Sequence, residues 1–143
     1  MKQTIILLNH LYKSCELTLE KINSILTDLE DTPFQIEMKK QKEKHEKIKY
    51  LSDGLLASLK EEEEQVPMIE KVNSYLSTKL STLTNNDPDH VAHLMITHYE
   101  GMLKETKEKV HACKDAKKEA LDLSHQLEEL LEEQIHALEN WIS

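Results

Sequence analysis

Apolar side chains recur every three or four residues along most of this chain. With about 100° between successive residues of a helix, Leu8, Leu11, Cys15, Leu19, Ile22, Leu26 and Leu29 fall on one stripe. The stripe predicts an amphipathic helix over about 4–30. Glu30-Asp31-Thr32-Pro33 breaks it and starts another. Thr32 is a good N-cap, Pro33 suits the first helical position, and Gln35 completes a capping box. The second helix is expected over about 33–62. Its inward stripe is Phe34, Met38, Gln41, His45, Ile48, Ser52, Leu55, Leu56 and Leu59. Gln41 and His45 stand where leucine would fit the pattern better. The opposite face is rich in lysine and reads as solvated.

Glu61-Glu62-Glu63-Glu64 opposes the helix dipole and should end this helix. Residues 67–83 place Ile69, Val72, Leu76, Leu80 and Leu83 at helical spacing. They predict a short amphipathic helix inside a connection over 63–87. Asp87-Pro88 then starts a third helix, expected over 88–110, with Val91, Leu94, Met95, His98 and Met102 inward. No strong breaker follows, but one unbroken helix to the end would be about 80 Å long. A hairpin near His111–Asp115 and a fourth helix over 114–142 are therefore expected. Ala116, Ala120, Leu123, Leu127, Leu130, Leu131, Ile135, Leu138 and Ile142 form its inward face. Trp141 docks the last turn on the bundle or, exposed, anchors a dimer.

Composition sharpens the picture. Two glycines and three prolines in 143 residues are too few for the turns of a sheet protein. The formal net charge is −9, from 18 basic and 27 acidic residues, and every basic residue is lysine. An acidic chain without arginine lacks the usual fork for phosphate and base edges, so neither nucleic acid nor an anionic membrane surface is an expected partner. No apolar run is long enough to span a bilayer. No leader peptide is evident and the two cysteines, Cys15 and Cys113, lack metal-type spacing, which suggests free thiols and a cytoplasmic location.

The fold class expected is all-α, a four-helix bundle. Two tight hairpins joined by a long connection is how ferritin-like bundles are threaded. In layout the chain resembles the small bacterial members of the ferritin-like superfamily, with a weak echo in Glu100 and in Glu133-Gln134-Ile135-His136. A five-helix up-and-down array, with 67–83 as a full member, is the rival layout. The resemblance implies a di-iron site built from inward Glu residues and two Glu-x-x-His motifs. Glu133, His136, Glu100 and Glu16 or Glu20 are the available residues, and helix two offers no such motif. Glu133 and His136 point about 140–160° away from the apolar stripe, and Glu100 lies similarly far from Met95. Iron chemistry is therefore not expected.

The resemblance also implies that helices two and three run parallel and helix one against them. Cys15, Thr18, Gln41, His45 and His98 then fall near one level, with His45 and His98 facing each other. A thiol, two imidazoles and an amide could hold zinc or copper. The plainer reading is a hydrogen-bonded polar pair beside a buried cysteine. The function expected is that of a non-enzymatic bundle acting through its surface, with a protein partner or a second copy and no cofactor. A ferritin-like metal-binding protein is the alternative.

Overall fold

A computed structural model describes residues 2–27, 29, 32–59 and 87–142. Helix makes up 88% of them, and no strand occurs among them. The elements are α1 (Lys2–Leu26), α2 (Pro33–Ser58), α3 (Pro88–Ala112) and α4 (Lys118–Glu139). Together they form the four-helix bundle that the periodicity predicts. The expected crossover over 63–87, with its short helix at 67–83, lies outside the described residues.

Contacts across the seams fix the helix directions. His10 meets Thr106 and Thr18 meets His98, so α1 and α3 are antiparallel. Glu16 pairs with Lys49, and Phe34 packs on Trp141 while His45 meets Gln134. Thr4 meets Lys117, which sets α1 parallel to α4. Because α2 runs against α4, it also runs against α1 and points the same way as α3. These are the directions on which the expected polar layer depends.

Side-chain oxygens explain the starts of α2 and α4. The Thr32 hydroxyl accepts the Gln35 N–H at 3.2 Å, as an N-cap should. Gln35 does not close the capping box; its amide donates to the Leu29 carbonyl instead, tying the hairpin to the end of α1. Helix α1 stops at Leu26, short of the expected Glu30, and α2 stops at Ser58 rather than 62. Helix α3 continues to Ala112, and a turn over 113–117 delays α4 to Lys118. That turn is held from outside: the Thr4 hydroxyl of α1 accepts the Lys117 N–H at 2.8 Å, and Gln3 accepts the Asp115 N–H. Lys117 has no capping side chain of its own, so α1 supplies the oxygen that the first turn of α4 needs. At the far end α4 closes at Glu139, before the expected 142. Trp141 packs edge-on against Phe34, ring centroids 5.2 Å apart, which is the docked arrangement rather than the exposed one.

The core follows the stripes closely. Leu7, Leu8, Leu11, Cys15 and Ile22 of α1 are buried against Phe34, Met38 and Leu56 of α2, and against Leu127, Leu131 and Leu138 of α4. The phase of α3 differs from expectation. Val91, Met95, Tyr99, Met102 and Thr106 are its buried stripe, and Leu94 and His98 sit at its edge. Tyr99 takes the central place because its ring fills the space between α2 and α3, with its hydroxyl bonded across to Gln41.

Candidate functional site

Among the described residues, three hydrogen-bonded sets of interior polar side chains join neighbouring helices. The first joins α1 and α3. The Thr18 hydroxyl donates to the Ser14 carbonyl at 2.9 Å, as a mid-helix threonine commonly does. Its lone pairs remain free, so the His98 Nε2–H donates to it across 2.8 Å; the Met102 sulfur lies 3.3 Å from the same hydroxyl. The arrangement recurs with the helices exchanged. Thr106 of α3 donates to the Met102 carbonyl at 2.8 Å and accepts from His10 Nε2 of α1 at 2.9 Å. His10 Nδ1 then accepts from Ser14 at 3.4 Å. Each helix thus contributes a histidine and, eight positions later, a threonine. Antiparallel packing makes the two pairs reciprocal.

The second set joins α2 and α4. His45 is fully buried, and its Nε2–H donates to Gln134 Oε1 at 2.7 Å. Its Nδ1 and the Gln134 Nε2 have no partner. The third joins α3 to α2: the Tyr99 hydroxyl donates to Gln41 Oε1 at 2.9 Å, and the Gln41 amide donates to Glu37 at 2.9 Å. Tyr99 links the sets, because its ring stacks on His45 with centroids 5.5 Å apart and lies 5.7 Å from the His98 ring.

Burial keeps these groups uncharged. It lowers the pKa of His98 from 6.5 to about 3, with the Lys21 charge and then His45 adding to the effect. Burial and then Lys109 lower His10 to about 4. Burial lowers His45 to about 4 against the opposing bond from Gln134. Burial also raises the Tyr99 hydroxyl, helped by Cys15 and Glu37, and raises the Cys15 thiol despite nearby Lys49. A neutral thiol and neutral imidazoles are the expected state of groups removed from water.

The sequence-predicted residues therefore take different partners. Cys15, Gln41 and His45 are buried and His98 is partly buried, but His45 bonds to α4 and His98 to α1 rather than to each other. Tyr99 lies against both rings, which the expected phase of α3 did not allow. Among the described residues no group of three or more His, Cys, Asp or Glu side chains is placed to hold a metal ion. Glu100, Glu133 and His136 are exposed, and His136 lies 3.4 Å from Glu139 on the surface. Glu16 pairs with Lys49 at 3.5 Å, whose ammonium also lies over the Tyr12 ring. Cys15 and Cys113 are both buried and unpaired. His10, Tyr99, Thr106 and Gln134 were not singled out by sequence reasoning. The equal His-to-Thr spacing in His10–Thr18 and His98–Thr106 is the signal that could have found two of them.

The outer surface carries a second feature. Tyr50, Leu51, Gly54 and Leu55 of α2 and Leu123 of α4 line an open groove of about 490 Å³. Tyr50 is 76% exposed there. Comparison with family models, with curated proteins and with solved structures returns no match for this chain. No described helix is long and apolar enough to cross a membrane.

Proposed function

We propose that this bundle acts through its surface, as an interaction or structural protein without chemistry of its own. The observation that supports this reading is the engagement of the interior imidazoles. His10, His45 and His98 each form a bond between two helices, and burial disfavours the charged state of each. A general acid or base needs a pKa near the working pH and a path to a substrate, whereas a structural tie needs a permanent partner. What the protein presents to other molecules is a charged helical exterior with an open apolar groove between α2 and α4.

One observation favours metal binding as a second reading. His45 Nδ1 is a buried acceptor without a partner, and a neutral imidazole nitrogen is a common metal ligand.

Chromatography of a cell extract tests the first reading. The exposed lysines allow an amine-reactive crosslinker to be applied before lysis. The crosslinked protein should elute well above the mass of the purified chain. Elution at one and the same mass, with and without crosslinker, would contradict a role exercised through partners.

A further inference from the structure

The groove between α2 and α4 has a definite chemistry. Leu51 and Leu55 of α2 and Leu123 of α4 line it, and Tyr50 stands at its edge. Leu51 is itself more than one-third exposed. Apolar side chains of both helices therefore line one opening. A smaller hollow of about 90 Å³ shares Leu55 and Glu119 with it and extends the apolar track toward Leu8 and Leu59.

Every charged residue lining the main groove is acidic: Asp53 on α2, and Glu119 and Asp122 on α4. Lys118 reaches Asp122 at 3.3 Å from outside the groove. Among the described residues no ion pair or hydrogen bond engages the Asp53 or Glu119 carboxylates. The walls therefore carry negative charge from both sides over an apolar floor. Gly54 lies on that floor. A side chain added there would meet nothing within 4 Å, so nothing in the fold around it demands a glycine. Glycine inside a helix costs about 0.5–1 kcal/mol relative to alanine. Its place on the floor lets a second backbone approach α2 closely.

We propose that this groove docks a basic amphipathic helix of a partner protein, apolar face down and lysines or arginines against Asp53 and Glu119. The proposal rests on the reading that the protein acts through its surface, and it names the partner's chemistry. A helix laid in an apolar groove between two others is a recurrent mode of recognition, read through anchors at i, i+3, i+4 and i+7. The charged rim selects the sign of the incoming helix. A second copy of this chain set groove against groove would meet like charge at the rim.

The test uses the full chain and a synthetic peptide of about 15 residues, with leucines at i, i+3, i+4 and i+7 and lysines elsewhere. A matched peptide carries glutamates in place of the lysines. Calorimetric titration should show the basic peptide binding at least about tenfold more tightly than the acidic one. Gly54→Trp, at a position where an added Cβ meets nothing within 4 Å, places a ring in the groove and should weaken binding by about tenfold or more. Gly101→Trp on α3, where an added Cβ also meets nothing within 4 Å, should leave it unchanged. Asp53→Lys with Glu119→Lys should reverse the preference between peptides. Circular dichroism of each variant shows that the fold is retained.

Equal binding of both peptides, no binding, or equal loss in Gly54→Trp and Gly101→Trp would overturn the proposal. So would a wild-type dimer that Gly54→Trp converts to monomer, since a second copy would then occupy the groove. Failure here with a large crosslinked complex intact would remove this docking site alone. Loss of that complex would remove the surface reading itself.

Discussion

His98 of α3 donates to Thr18 of α1 across 2.8 Å, and eight residues along each helix the bond is returned from His10 to Thr106. Two identical clasps with opposite polarity therefore hold one antiparallel seam. Each threonine serves its own helix with its proton and the opposite helix with a lone pair, so neither hydroxyl is left unsatisfied. Clasps of this kind specify helix register as well as contributing stability, because a slip along the seam would leave two imidazole N–H groups without acceptors.

Breaking one clasp should show strong coupling. Thr18→Val strands the His98 N–H and should cost about 1–3 kcal/mol, whereas His98→Leu removes the donor and should cost less. The double variant should be more stable than the two single losses added together predict. Urea unfolding of the four proteins checks this; simple additivity would mean that the bond contributes nothing specific.

Stability should fall on mild acidification. The folded pKa values of His10, His45 and His98, about 4, 4 and 3, lie below the unfolded value of 6.5. Between those limits the unfolded chain binds more protons, so unfolding free energy rises with pH. The contribution of these groups is complete above about pH 6.5 and is lost as pH falls toward their folded values. Three protons taken up on unfolding give a slope of about 4 kcal/mol per pH unit near pH 5. His98→Leu should reduce that slope by about one-third. An unchanged slope in this variant would show that His98 is not held neutral.

Both thiols should be silent in the native protein. Cys15 and Cys113 are buried and unpaired, and burial raises the Cys15 pKa, leaving little thiolate to react. A chromogenic disulfide reagent should label neither cysteine within minutes in buffer and both in denaturant. Rapid native labelling at Cys15 would contradict the described core.

The bundle was legible in the sequence because its information is periodic. The stripes of α2 and α4 name most of their buried residues and that of α1 about half, and Pro33 and Pro88 are the first residues of α2 and α3. The phase of α3 was less legible. Leu94 and His98 compete with Tyr99 for the inward position there, and only the neighbouring helices decide between them. The polar layer was legible as a location but not as a set of bonds. Gln41 and His45 break an apolar stripe, which marks them as interior, yet Gln134 and Tyr99 complete their contacts from helices about 50 or more residues away in sequence. The groove left no periodic signal, because Tyr50, Leu51 and Gly54 lie outside the inward stripe and gain meaning only beside α4.

The Glu133 and His136 pair on α4 should be dispensable for folding. Both are exposed, and the contact of His136 with Glu139 is a surface pair of the kind that contributes about 0–1 kcal/mol. Glu133→Ala with His136→Ala should change the unfolding free energy by less than about 0.5 kcal/mol. A loss of several kcal/mol would mean that the outer face of α4 has been placed wrongly.

The most direct test of a structural interior and an active surface is the thermal melting of untagged protein with added Zn²⁺, Cu²⁺ or Fe²⁺, and with a chelator. The imidazoles and the Cys15 thiol serve the fold in this account, so the midpoint should stay within about 1 °C in every case. A metal held at a hundred times its dissociation constant would stabilise the folded state by about 2.7 kcal/mol, which at this chain length raises the midpoint by about 5–10 °C. A rise of that size, abolished by His45→Leu or His98→Leu, would contradict the account.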